Sequence, residues 1–290
     1  MVRLKFFLTN SVLLPELKHL KFPSGFADIY LDPYSNRIRI DNYGGVIEDV
    51  LNEIRNFAPS WTEKIIIKSR SCDRKYFESE NFVPEARIPG YFSGEEMYFM
   101  VCYLKPERAF GTVVLQGDPF ANFTIGAKPN QTITSDSVTS LLSSDADAIA
   151  EIFIQVFQYY PTPMHQPAYV KETMEQGTIY FGIKHSGKLV SVASAEVNYK
   201  FSNAELTDCA SLPECAGRGY MQAILQRIQT ELLNRNIFCH YTLARAGQPG
   251  INKVFFKLGF DYCGILKQNC RIGTGLEDMS VWVKNYPKPL

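Results

Sequence analysis

One stretch of the chain narrows the choice of fold more than any other. Ala204–Leu212 alternates in the manner of a strand, Gly217 and Gly219 form a Gly-x-Gly turn, and Ile224, Leu225, Ile228, Leu232 and Leu233 then recur at helical spacing between Tyr220 and about Asn234. A strand that turns on glycines into an amphipathic helix leaves the N–H groups from Gly217 to Met221 without intrahelical acceptors, and the helix dipole adds positive potential at the same point. That combination forms a cradle for a pyrophosphate, because glycine lets phosphate oxygens come close to the backbone. Two other phosphate motifs are excluded. No Gly-Lys-Ser/Thr follows the turn, and the first glycine of a dinucleotide fingerprint is missing.

The flanking pattern sets the fold class. Val138–Leu142 reads as a strand, and Ser143, Ser144 or Asp145 can cap a helix with Ile149, Ile152, Phe153, Val156 and Phe157 inward, ended by Pro161 and Pro163. A short helix over Ala168–Glu175 precedes a hairpin of Thr178–Lys184 and Leu189–Val197, turned at His185-Ser186-Gly187. After the glycine turn and its helix come a strand (Ile237–Leu243), a helix (Gly250–Leu258) and strands at Phe260–Leu266 and Ser280–Lys284. This order fits neither a parallel doubly wound sheet nor a sandwich; it predicts an α/β (α+β) fold with a mixed sheet over residues 137–286.

The chain has 290 residues, which suits two domains. Residues 116–136, rich in Asn, Thr, Gly, Pro and Ser, read as the linker, with residues 26–115 as a smaller α/β domain and residues 1–25 as an extension. The smaller domain repeats part of the larger plan. Gly45–Ile54 matches Gly219–Ile228 in apolar pattern, Ile65–Ile67 falls opposite Cys239–Tyr241 at the same offset, and Tyr76-Phe77 resembles Phe255-Phe256. Asp41-Asn42-Tyr43 precedes Gly44-Gly45 without Gly-x-Gly spacing, so a worn copy is expected to have lost cofactor binding.

Charge and cysteine content exclude several functions. Thirty Lys+Arg balance thirty Asp+Glu, so no basic surplus recruits nucleic acid or an anionic membrane, and no run approaches the ~20 apolar residues of a membrane helix. The seven cysteines show no CxxC and no zinc spacing, which implies no metal, no disulfide framework and a reducing, cytoplasmic setting. Thr9, Asn10 and Ser11 interrupt the apolar start of the chain and no small-residue cleavage site follows, so an extension is expected there, with secretion as the lesser alternative.

Within these elements, Glu214-Cys-Ala-Gly-Arg-Gly219 and Asn252-Lys-Val-Phe-Phe-Lys-Leu-Gly-Phe260 resemble two motifs of the GNAT superfamily of N-acetyltransferases. Five further segments are similar to the β-lysine N6-acetyltransferases, the partners of lysine 2,3-aminomutase: Tyr159–His165, Thr178–Gly182, Ala193–Glu196, Asn203–Asp208 and Tyr241–Ala246. Asp28–Asp32, Asn36–Ile40 and Pro89–Gly94 resemble the N-terminal domain of that family. The resemblance implies a GNAT fold preceded by a partial GNAT-like domain, acetyl-coenzyme A (acetyl-CoA) as cosubstrate, and a small-molecule amine as acceptor. Glu214 stands where Gln or Arg is usual, Ala216 where an arginine often precedes the glycine, and Phe255 where many relatives carry a tyrosine acid.

The chemistry assigns roles. A lysine-type ammonium, with a pKa of about 10.4, attacks a thioester only after losing a proton. Glu205 is the expected base, acting through water, with Asp208 as a structural or ammonium partner. Side chains alternate along a strand, so the two point oppositely unless a bulge intervenes. N–H groups near Cys209, Ala210 and Ser211 would polarise the acetyl carbonyl, and the Leu212 backbone would meet the pantetheine. Gly217, Arg218, Gly219, Tyr220 and Met221 would hold the pyrophosphate, with Asn252 as a further coenzyme ligand by resemblance. Tyr262 or Tyr241 would protonate the leaving thiolate, unless it departs unassisted. Arg245 suits an acceptor carboxylate or, equally, a strand-end salt bridge. By the resemblance, Tyr159, Tyr160 and His165 lie in the loop that in this superfamily covers the acceptor, where an aromatic wall could hold an ammonium. The expected reaction is direct acetyl transfer to the N6 amine of β-lysine in a ternary complex, giving the osmolyte N6-acetyl-β-lysine. The alternatives are another small amine, a non-catalytic acyl-CoA sensor and, least favoured for want of an acidic docking run, a protein-lysine acetyltransferase. The N-terminal domain is expected to complete the acceptor pocket or a homodimer.

Overall fold

The computed structural model describes residues 15–112 and 137–288; the linker expected over 116–136 lies outside the described residues, as does the chain before residue 15. The N-terminal half comprises β1 (Glu16–Phe22), β2 (Gly25–Asp32), β3 (Arg37–Gly45), α1 (Ile47–Phe57), β4 (Lys64–Arg70), α2 (Arg74–Ser79), β5 (Val83–Phe92) and β6 (Glu95–Tyr103). The C-terminal half comprises β7 (Thr139–Leu141), α3 (Ala146–Val156), α4 (Pro167–Glu175), β8 (Ile179–His185), β9 (Lys188–Asn198), β10 (Asn203–Ser211), α5 (Tyr220–Asn234), β11 (Cys239–Arg245), α6 (Pro249–Lys257), β12 (Asp261–Ile272) and β13 (Gly275–Asn285). The mixed α/β architecture is the one the periodicity requires. Strand β1 lies within the stretch read as an extension: it pairs with β2 along its length, and Leu20 and Phe22 rest on the N-terminal core.

All thirteen strands form one sheet in the order β1-β2-β3-β4-β6-β5-β12-β13-β11-β10-β9-β8-β7. The first six strands and β8 to β13 follow the same spatial plan. Within each set only one neighbouring pair is parallel, β3 with β4 and β10 with β11, and the rest are antiparallel. Register also slips at equivalent places, past Asp41 in β3 and past Asp208 and Cys209 in β10. The worn-copy pattern in the sequence has this topological counterpart.

Alternation along the strands distributes the core. In β4, Ile65 and Ile67 face α1 and α2 with Ile38, Ile40, Val50 and Phe77, while Ile66 faces the other way. There it meets Ile88, Phe99 and Val101 of its own half and Tyr241, Leu266, Val281 and Val283 of the other. The helix-free faces of the two half-sheets therefore pack on each other, each buried large apolar side chain contributing about 1.5–3 kcal/mol. Helices α3 and α4 cover the rest of that face in the C-terminal half, and α5 and α6 lie on its outer face.

The junction has its own devices. Gly264 pairs with Ala86 at φ +127°, and a Cβ there would come 2.6 Å from the Glu85 carbonyl oxygen and 2.7 Å from Ala86 Cα. Lys64, fully buried, donates from Nζ to Glu85 Oε2 at 2.7 Å and to the Lys267 carbonyl at 2.6 Å. Asn203 Nδ2 donates to the Tyr91 carbonyl at 2.7 Å. Among the described residues no helix is long and apolar enough to cross a membrane.

Candidate active site

Strands β10 and β11 pair only at Asn203–Cys239, Ala204–His240 and Glu205–Tyr241, and then part. The bulge is the reason. Asp208 adopts φ +50°, β10 resumes its pairing with β9 at Ala210–Val192, and β11 stays with β13 throughout. The gap opens into a cavity of about 640 Å³ lined by Leu206, Asp208, Cys209 and Ser211 of β10, Leu243 and Ala244 of β11, and Val254 and Phe255 of α6. The Leu212 N–H is bonded to the Val190 carbonyl at 3.0 Å, so alternation turns the Ser211 N–H into the opening and the Ala210 N–H toward β9.

The glycine turn closes one end of this cavity. Gly217 and Gly219 have φ +74° and +83°, and a Cβ on either would meet no atom within 4 Å. The N–H groups of Gly217, Arg218 and Gly219 have no acceptor among the described residues. Helix α5 begins at Tyr220, and Tyr220 and Met221 line the cavity while Arg218 is exposed beside it. On the opposite wall stand Lys253 and Lys257 of α6, two cations that the motif reading passed over although their i,i+4 spacing puts them on one helix face. Open space, free N–H groups and cations together suit the diphosphate of a coenzyme.

Where the strands part, three carboxylates gather. Glu205 pairs directly across the sheet with Glu196 of β9, so both side chains share a face. The bulge brings Asp208 to that face too, where Ser194 Oγ donates to Oδ2 at 2.7 Å and the Tyr160 hydroxyl to Oδ1 at 3.1 Å. Burial pushes the Asp208 pKa up to about 6 against those two hydrogen bonds. Glu196 keeps solvent contact, yet burial by the surrounding cleft, and then Glu205 and Asp208, raise its pKa as well. The Tyr160 phenol, also desolvated and beside Asp208, is held well above its ordinary range and so stays protonated.

Comparison with known proteins places this architecture. The acetyltransferase (GNAT) family model matches residues 146–260, from α3 to the start of β12. The chain is 32% identical over 272 residues to N-acetyltransferase YodP of Bacillus subtilis, covering 92% of this chain and 99% of that protein. The chain belongs to the GNAT acetyltransferase family. It is also 44% identical over 143 residues to a β-lysine N(6)-acetyltransferase of Methanosarcina mazei, across 49% of this chain and 53% of that protein. A β-lysine N(6)-acetyltransferase of Methanococcus maripaludis is 26% identical over 260 residues, 88% and 95% of the two chains. As a GNAT member, the chain is an acetyl-CoA-dependent N-acetyltransferase.

Several residues singled out in the sequence lie away from the GNAT cavity or are committed elsewhere. Asn252 is fully buried: its amide donates to the Arg245 and Gln248 carbonyls at 2.9 and 2.8 Å, and its oxygen accepts from Trp282 Nε1 at 2.8 Å. With both donors used to tie α6 to β11, it offers none to a coenzyme. The Leu212 N–H is likewise taken, by Val190, and its carbonyl already accepts from the Cys215 N–H at 2.8 Å. Tyr262 pairs with Trp282 on β13, which pairs with Thr242 on β11, so it stands two strands beyond β11 and outside the cavity lining. Tyr241 is buried against Tyr91, centroids 5.6 Å apart. Arg245 lines the cavity, but Glu277 takes its guanidinium in a two-point ion pair, Nε to Oε2 being 2.6 Å. His165 is exposed, bonded only to the neighbouring Gln166 side chain among the described residues. Phe255 packs edge-on to Phe260 at 5.2 Å and carries no proton to donate.

Proposed function

We propose that this chain transfers acetyl from acetyl-CoA to the terminal (N6) amine of β-lysine by direct attack within a ternary complex. The observation that carries the reading is Glu205: a carboxylate without hydrogen bond or ion pair among the described residues, on the strand where β10 leaves β11 and the acetyl cavity begins. The turn N–H groups of Gly217 to Gly219, with Lys253 and Lys257, hold the coenzyme phosphates. The thioester then lies along the freed edge of β10, where the Ser211 N–H meets the acetyl carbonyl. Glu205, through water, takes the proton from the incoming ammonium, and the free amine attacks. The tetrahedral intermediate collapses with loss of the coenzyme thiolate, which departs beside the Tyr160 phenol, itself donating to Asp208. Two relatives named for β-lysine support this acceptor over other amines.

The test is turnover of β-lysine, α-lysine, ornithine and polyamines with acetyl-CoA, read by free thiol and product mass. Acetylation of β-lysine at its terminal amine, well above α-lysine, is the expected result. Preference for a different amine would discard β-lysine, and coenzyme binding without turnover of any amine would overturn the catalytic reading.

A further inference from the structure

The helix-free faces of the two half-sheets do not close on each other along their whole length. Beside β9 and β10 the facing side chains stay partly open to solvent: Glu196 is exposed, Glu205 is half-buried, and opposite them the Arg39 and Asp41 side chains are 23% and 25% exposed. The cleft between them adjoins the point where β10 and β11 separate. Its two walls carry opposite charge.

The N-terminal wall is cationic. Arg39 donates from Nε and Nη2 to Asp41 at 2.7 and 3.0 Å, and its guanidinium lies 4.9 Å over the Tyr30 ring. Lys68 Nζ reaches the same Asp41 carboxylate at 2.8 Å and the Tyr91 hydroxyl at 3.1 Å. One carboxylate between two cations leaves one positive charge in excess, and Arg39 Nη1 has no partner among the described residues. The C-terminal wall is acidic: Glu196 and Glu205 have no cation paired to them among the described residues, and an arriving ammonium favours the ionised form of both. The walls feel each other, since Glu205 acts on Arg39 while Arg39 and Lys68 act on Glu196.

A polyamine or simple diamine needs only the anionic wall. An acceptor that also carries a carboxylate matches both. We propose that the N-terminal half supplies the acceptor-carboxylate site through Arg39, that Glu196 holds a second, non-reacting ammonium, and that the acceptor is therefore a diamino acid. The assignment rests on the proposed acetyl transfer at Glu205. It gives the half without a glycine cradle a direct part in substrate choice, and it moves carboxylate recognition from Arg245, the one cation paired with Glu277 among the described residues, to Arg39 of the other half, whose partner Asp41 is shared with Lys68.

The test is steady-state kinetics of the full chain with β-lysine and with pentane-1,4-diamine, which has the same skeleton without the carboxylate. Losing a charge-assisted contact, Arg39→Gln is expected to lower kcat/KM for β-lysine by about tenfold or more and leave the diamine unaffected. Arg39→Lys is expected to recover part of the loss, and Glu196→Gln to weaken both substrates. An unchanged KM for acetyl-CoA reports that each variant is folded. An equal effect of Arg39→Gln on both substrates, or none on either, overturns this assignment alone. A wild-type chain that binds coenzyme and acetylates no amine overturns the proposed function together with it.

Discussion

Glu205 on β10 and Glu196 on β9 are direct cross-strand partners, two carboxylates on one face without a hydrogen bond or ion pair to either among the described residues. Like charges placed opposite each other destabilise a sheet. Burial and the neighbouring Glu205 raise the Glu196 pKa, so an empty cleft favours a proton on Glu196 that an arriving ammonium can replace.

Removing the proposed base gives the sharpest kinetic signature. Glu205→Gln is expected to reduce kcat by about 10²–10⁴-fold near neutral pH. The deficit should narrow as pH approaches about 10, where the amine is already free. A pH–rate profile with a constant deficit would remove Glu205 from that role.

Gly217 combines a left-handed backbone with open space in front of it. Gly217→Ala should cost about 1 kcal/mol through the backbone alone, and Gly217→Val should also place a branched side chain in the cradle. The expected result is a marked rise in KM for acetyl-CoA with a smaller change in kcat. Equal coenzyme affinity, measured by calorimetry, would separate the turn from phosphate binding.

Asp208 makes stability depend on pH in a defined direction. Its pKa is raised to about 6 from an ordinary 3.8, so its contribution is complete below 3.8 and is lost as pH rises through 6. Against Asp208→Asn, wild-type stability should fall by about 2–3 kcal/mol between pH 4 and pH 7. Urea unfolding at stepped pH reads this, and a pH-independent difference would contradict it.

His240 works with the opposite sign. Burial lowers its pKa to about 4 from 6.5, although its ring bonds the Ile237 carbonyl at 3.0 Å. Its contribution is present above pH 6.5 and is lost as pH falls through 4, a change of about 3 kcal/mol. His240→Phe should flatten that part of the acid limb; an unaltered slope would assign it to other groups.

At the junction of the halves, Gly264→Ala forces a Cβ onto the Glu85 carbonyl and Ala86. A loss of about 2–4 kcal/mol is expected from the displaced strands. Calorimetry with an unchanged midpoint would show that β5 and β12 can separate freely.

The order of elements was readable because it depends on neighbours in sequence. The α5 apolar stripe and the glycine turn identified the cradle, and the β8–β9 hairpin identified the mixed sheet. The site was less legible where a role depends on distant partners. Asn252 looks like a coenzyme ligand until Trp282 and the Arg245 carbonyl are seen to occupy it. Arg245 reads equally as a ligand for a carboxylate or as half of a strand-end salt bridge until Glu277, on β13, takes its guanidinium. Glu196 gains meaning only from its register with Glu205.

The sequence by itself determined the order of strands and helices in the C-terminal half, the phosphate turn and the carboxylates beside it, because periodicity and glycine conformation act over a few residues. Tertiary structure decided which side chains meet. A bulge at Asp208 turned a carboxylate to the face of Glu205, and the packing of two half-sheets brought Arg39 opposite it. Register and sheet packing bind residues far apart in the chain, and a local pattern carries no record of the partner that will face it.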